Sequence, residues 1–188
     1  RNGHEYGIGF AHGLGMGLGL LLRREGVAAL AHARETVTTA EKHGFPDLFA
    51  LGSFLLGAGI AERGEREEGI NRMRRGLELL SASGHVSCRA LLLCCLAEAL
   101  GRDGRWHEAL DTAAEALSRA TSSGETSHLA EARRVHAEAL AAVSGDDRES
   151  VTERWHFDQA SPGALDVTGD LTGPIGNHVV FELVDADG

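Results

Sequence analysis

Glycine recurs along this chain at a fixed spacing. Gly44, Gly84 and Gly124 lie 40 residues apart, and Gly64 and Gly104, also 40 apart, fall midway between them. Each follows a run with helical patterning. Just past a helix the backbone turns through the left-handed region, which residues bearing a Cβ resist and glycine does not. Two interleaved sets of such caps predict a helix–turn–helix unit repeated along the chain. A unit of this kind buries its apolar face against the next copy and builds an extended surface rather than an enclosed pocket. Binding is therefore the expected activity, and catalysis is not.

The side chains between the glycines keep the same register. Leu56-Gly57 and Ile60 align with Leu96-Ala97 and Leu100, and Gly69, Met73 and Gly76-Leu77 align with Ala109, Ala113 and Ala116-Leu117. Small residues at fixed columns let the two helices of a hairpin approach closely, and the large ones fill the seams between hairpins. Shifted back by 40, the pattern places Ala29 and Ala33 in the small columns, with Thr36 a weaker match. Shifted forward, it reaches Ala137 and Leu140, with His136 standing where Leu56 and Leu96 stand.

This register predicts seven helices, over about 5–22, 27–43, 47–63, 66–83, 86–102, 105–122 and 126–143. Pro46 stands where a helix start tolerates proline, and Ser87 and Thr126 are expected N-caps. The expected fold is all-α: a right-handed superhelix, an α-solenoid of stacked antiparallel hairpins with period 40 and about three and a half repeats, over residues 1–144. The first helix is the weak point. It carries Gly7, Gly9, Gly13, Gly15, Gly17 and Gly19, each costing about 1 kcal/mol relative to alanine. It is expected to fray or to be close-packed.

The pattern stops at Ser144. Residues 145–188 hold 10 acidic and 2 basic side chains, net −8, whereas residues 1–144 hold 18 and 16, net −2. An irregular acidic tail is expected there, disordered or forming a weak hairpin between the runs around Val167 and His178 to Val184. Nothing in this charge balance attracts phosphate backbones, which disfavours nucleic acid as a partner. The longest apolar stretch, 8–22, is broken by His12 and five glycines, which argues against a membrane span. Cys88, Cys94 and Cys95 fall in one predicted helix, and adjacent helical cysteines point about 100° apart. Reduced thiols in a cytoplasmic protein are expected. The chain opens Arg1-Asn2-Gly3 without an initiator methionine and reads as a piece of a longer polypeptide.

Leu96-Ala97, Gly104, Glu108-Ala109 and Ala116-Leu117 resemble the tetratricopeptide repeat, although 40 residues exceeds that repeat's usual length of about 34. Ala40-Glu41-Lys42-His43-Gly44-Phe45-Pro46, Glu67-Glu68-Gly69-Ile70 with Arg74-Arg75-Gly76-Leu77, and Leu96-Ala97-Glu98-Ala99-Leu100-Gly101 resemble the C-terminal repeat region of large bacterial regulators. Those proteins join a class III adenylate/guanylate cyclase or a DNA-binding domain to an ATPase module. The resemblance covers roughly residues 10–140. It implies a cytoplasmic interaction or scaffold module of a signalling protein, non-catalytic by itself. Its partner would be a protein, a peptide or another domain of the same polypeptide. The alternatives are a signal-sensing fragment of a cyclase/ATPase regulator and a small-ligand-binding repeat domain.

Catalytic and cofactor motifs are missing. Gly13-Leu14-Gly15-Met16-Gly17 has no preceding strand for a dinucleotide site. A P-loop is absent, since the only lysine is Lys42. Of ten histidines, His128 and His136, and likewise His4 and His12, are eight apart, too far along a helix to share an ion unaided. No cofactor, metal or catalytic residue is expected. The candidate site is the concave face lined by the first helix of each hairpin. On it are expected Phe54, Ala58 and Glu62, then Cys94, Glu98 and Arg102, then Arg134 and Glu138.

Overall fold

Gly44, Gly64 and Gly104 take φ values of 71°, 105° and 79°, so each of these turns is made in the left-handed region. The computed structural model describes residues 2–83, 88–123 and 126–144, with 167–168 and 182–183. Gly84, Ser87 and Gly124 lie outside the described residues, as does most of the expected acidic tail. Within it, Val167–Thr168 and Glu182–Leu183 pair antiparallel.

The described part of residues 2–144 is all-helical. Helix α1 (Asn2–Phe10) runs through a π-helical segment (Ala11–Gly17) into α2 (Leu18–Leu22). These three form one rod, because the residues at the junctions keep right-handed helical dihedrals. Then follow α3 (Gly26–His43), α4 (Pro46–Glu62), α5 (Arg66–Ala82), α6 (Arg89–Arg102), α7 (Trp106–Ser123) and α8 (Thr126–Ser144). Pro46 opens α4 as its spacing predicts, since a helix's first residue needs no N–H partner. Thr126 is the first residue of α8 rather than a flanking cap. Helix α6 starts three residues later than expected, because Cys88 adopts φ 62° and cannot continue a right-handed helix.

Successive helices pack against one another, and α6 also meets α4 and α8. Helix α4 sits at the centre, buried at every position of 50–59. A helix that is apolar all round requires neighbours all round, here the N-terminal rod, α3, α5 and α6. Helix α5 buries one stripe, Gly69, Ile70, Met73, Gly76, Leu77 and Leu80, at the three-and-four spacing of an amphipathic helix. Helix α7 presents Ala109, Ala113, Ala116 and Ala120 to the core.

The small columns are close approaches. A Cβ on Gly69 would stand 2.4 Å from the Ala61 nitrogen, and one on Gly57 would stand 2.6 Å from the Gly69 oxygen. The glycine-rich rod uses the same device. Cβ atoms on Gly9, Gly13 and Gly17 would meet Leu48, Leu51 and Leu55 of α4 at 2.8, 3.1 and 2.9 Å, whereas Gly7 and Gly15 face open space. The rod is thus a close-packed helix. The glycines that cost it helix propensity are in part those that let it lie on α3 and α4.

The α4–α5 and α6–α7 turns share four backbone hydrogen bonds. Arg63 and Asp103 each donate to the residues three and four before them, Gly64 and Gly104 each bond three back, and Gly69 and Ala109 each bond four back. The turn 40 residues earlier places Arg24 where Gly64 and Gly104 stand, and Arg24 takes φ 63° despite its Cβ.

Candidate functional site

Three arginines converge on Glu98 of α6, whose side chain is 18% exposed. Arg24, from the turn after α2, donates to Oε1 at 3.0 Å. Arg102, one turn along α6, holds Oε2 at 3.5 Å. Arg134 of α8 donates to Oε1 as well. Arg134 also takes both oxygens of Glu131, at 3.0 and 2.5 Å, and Glu138 at 2.6 Å. Six side chains from the α2–α3 turn, α6 and α8 make one charge-balanced network, three positive and three negative.

The network sets its own ionisation. The guanidinium of Arg134 holds the Glu131 carboxyl below its ordinary range, chiefly through hydrogen bonding and against the opposing effect of burial. In return Glu131, then Glu98 and Glu138, hold the Arg134 proton more firmly. Beside the network, burial pushes the Cys94 thiol up to about 12, helped by Glu131 and Glu98. The Cys95 thiol is pushed up as well, again by burial first. Neither is a thiolate at neutral pH, so neither is an activated nucleophile.

A cavity of about 270 Å³ opens next to this network between α2, α4, α5 and α6, lined by Leu21, Ala58, Glu62, Met73, Glu98 and Arg102 among others. Its wall mixes apolar stems with charged heads, an arrangement suited to recognition by contact and hydrogen bonding. Among the described residues no group of three or more histidine, cysteine or acidic side chains can hold a metal ion. Nor is any helix among them long and apolar enough to cross a membrane.

Compared with known proteins, the chain matches no family model, no curated protein and no solved structure.

The expected site residues divide by what holds them. Glu98, Arg102, Arg134 and Glu138 are brought together. Glu62 lines the cavity, but its carboxylate accepts the Val27 N–H at 2.7 Å and so caps α3, whose own flanking residue Glu25 provides no side-chain cap. Gly26 makes room for it, since a Cβ there would stand 2.8 Å from the carboxylate. Phe54 corrects the expectation. It is 0% exposed and packs over Gly76 of α5, where an added Cβ would come within 2.8 Å of its own Cβ. It belongs to the α4–α5 seam and presents nothing to a partner. Cys94 is buried likewise, and Ala58 lines the cavity from a largely buried position.

Two members of the network were not foreseen. Glu131 had a legible signal, because it lies three residues before Arg134 and shares its helix face. Arg24 had none, being 74 positions from the carboxylate it meets.

Proposed function

We propose that this chain is a helical-repeat interaction module whose α6–α8 face docks a protein segment, a peptide or a neighbouring domain. The observation that carries the reading is the Arg24–Glu98–Arg102–Arg134 cluster beside a mixed apolar and charged cavity. The stacking we propose is a right-handed superhelix of tetratricopeptide type with a 40-residue period. It is supported by the matching hydrogen bonds of the turns at Gly64 and Gly104. The setting we propose is a bacterial signalling protein of the cytoplasm, with any cyclase or ATPase chemistry in other domains. Because the network is neutral overall, docking would be guided by shape and hydrogen bonding more than by long-range charge.

The test places a photo-crosslinking residue at Arg102, half-exposed beside the cavity, and a control at Arg119 on α7. A defined protein partner captured at 102 and lost at 119 supports the reading. Equal capture at both positions removes the site assignment. The cavity favours a second reading, a small-molecule receptor. A saturable rise in melting temperature with one compound class, abolished by Arg102→Glu, would support it.

A further inference from the structure

We infer that His12 and His32 form a proton-counting latch that fastens the N-terminal rod to α3 and lets go on acidification. His12 lies in the π-helical segment and His32 on α3. Their Nδ1 atoms are 3.0 Å apart and their ring centroids 5.2 Å apart. The nitrogen gap plus the two ring radii accounts for the whole centroid separation. The rings therefore point at each other head-on, with both facing nitrogens close to the line that joins the ring centres. That geometry places one proton between two nitrogens. Among the described residues no third ligand joins them to make a metal site.

The protonation states follow by counting. In the neutral pair one ring carries its proton on Nδ1 and donates. The other carries its proton on Nε2 and accepts. One added proton goes to the free Nε2 of the donor ring, and the bond becomes charge-assisted. A second added proton has only the accepting Nδ1 left. Both facing nitrogens then bear hydrogens, and two positive rings oppose each other across a contact that needs a lone pair. The latch holds with zero or one added proton and opens with two.

The surroundings leave this count to the two rings. On α3 the nearest charged side chains in sequence are Arg34, two residues on, and Glu35, one turn away, and both are exposed. The π-helical segment carries no charged residue other than His12. Helix α4 faces the segment with Leu51 and Leu55. Thr36 donates to the His32 carbonyl at 2.8 Å and does not titrate in this range. The flanking α2 contributes no charged residue, and Arg23 and Arg24 lie just beyond it. Helix α1 contributes Glu5, which His43 of α3 approaches at 3.8 Å. That pair works in the opposite sense, gaining attraction as His43 is protonated.

The rod is where such a latch has leverage. Its contact with α3 and α4 runs through Gly9, Gly13 and Gly17. Bare glycines bury little apolar side-chain area. Leu14, Leu18 and Leu21 supply the apolar part of the attachment, and the histidine pair joins the Tyr6 hydroxyl, which donates to Asp47 of α4, as its polar ties.

Two measurements on the intact chain decide the matter. Side-chain ¹⁵N spectra at about pH 8 should show one of the two rings as the Nδ1–H tautomer and the other as Nε2–H. Amide exchange, corrected for its intrinsic pH dependence, should show protection over residues 2–22 falling about tenfold or more relative to α4 between about pH 8 and about pH 5. In His32→Asn that loss should vanish, because an amide can donate to or accept from His12 in either of its states. Two Nε2–H tautomers at about pH 8, or the same loss in His32→Asn as in the native chain, would overturn the latch. Should the variant not fold, the tautomers of the native chain still give the answer.

Discussion

Arg24 and Glu98 are 74 positions apart in sequence and 3.0 Å apart in space, and Arg24 makes the contact from a left-handed backbone, φ 63°. Glycines occupy the equivalent positions 40 and 80 residues later, Gly64 and Gly104. A residue with a Cβ costs about 1 kcal/mol or more there. The guanidinium it carries ties the turn after α2 to α6.

The two effects separate by substitution. Arg24→Gly and Arg24→Ala both lose the ion pair, which is worth little at so exposed a side chain. Only Arg24→Ala keeps the backbone cost. Arg24→Gly should be the more stable of the two by about 1 kcal/mol in urea denaturation. Equal stabilities would mean the left-handed turn is not formed in solution.

Glycines of the two kinds should respond in opposite directions. Gly69→Ala drives a methyl into the Ala61 backbone nitrogen at 2.4 Å and should cost about 1–3 kcal/mol. Gly7→Ala points into open space and should gain up to about 1 kcal/mol in helix propensity. Thermal melts of the pair check both signs at once.

Phe54 and Arg102 should part company in the same way. Phe54→Ala empties a fully buried site and should cost about 3–5 kcal/mol. Arg102→Ala removes a side chain that is 46% exposed and should leave stability within about 0.5 kcal/mol. A mild Phe54→Ala would return that ring to the surface where the apolar pattern first put it.

Acid should weaken the α8 network in a defined direction. The Glu131 carboxyl is held low in the folded chain by Arg134, so on acidification the unfolded chain binds that proton first. This contribution is complete above the ordinary glutamate value of about 4.3 and is lost as pH falls through the folded value. Glu131→Gln should flatten the acid limb of stability against pH. An unchanged slope in denaturant titrations below about pH 5 would sink this assignment.

Much of the helical pattern was legible because its turn and packing residues recur at countable spacings. The turns at Gly64 and Gly104 and the alanine stripe of α7 repeat at distances a reader of the sequence can count. So were Arg134 and Glu138, four apart on one helix face. Phe54 was misplaced for a physical reason. Where every position of a helix is apolar, a 3.6-residue period carries no phase, and the sequence is silent about which face meets which neighbour. Arg24 was missed because its partner is reached only through the stacking of the helices.

By itself, then, the sequence determined where the chain turns and which residues are small enough for helices to touch, since both depend on the local presence or absence of a Cβ. What lies opposite each glycine and each charge was decided by tertiary structure alone. The glycines of the N-terminal rod are a liability in an isolated helix and a requirement against Leu48, Leu51 and Leu55. Only the packed arrangement says which, because the cost is paid within one helix and the gain is made between two.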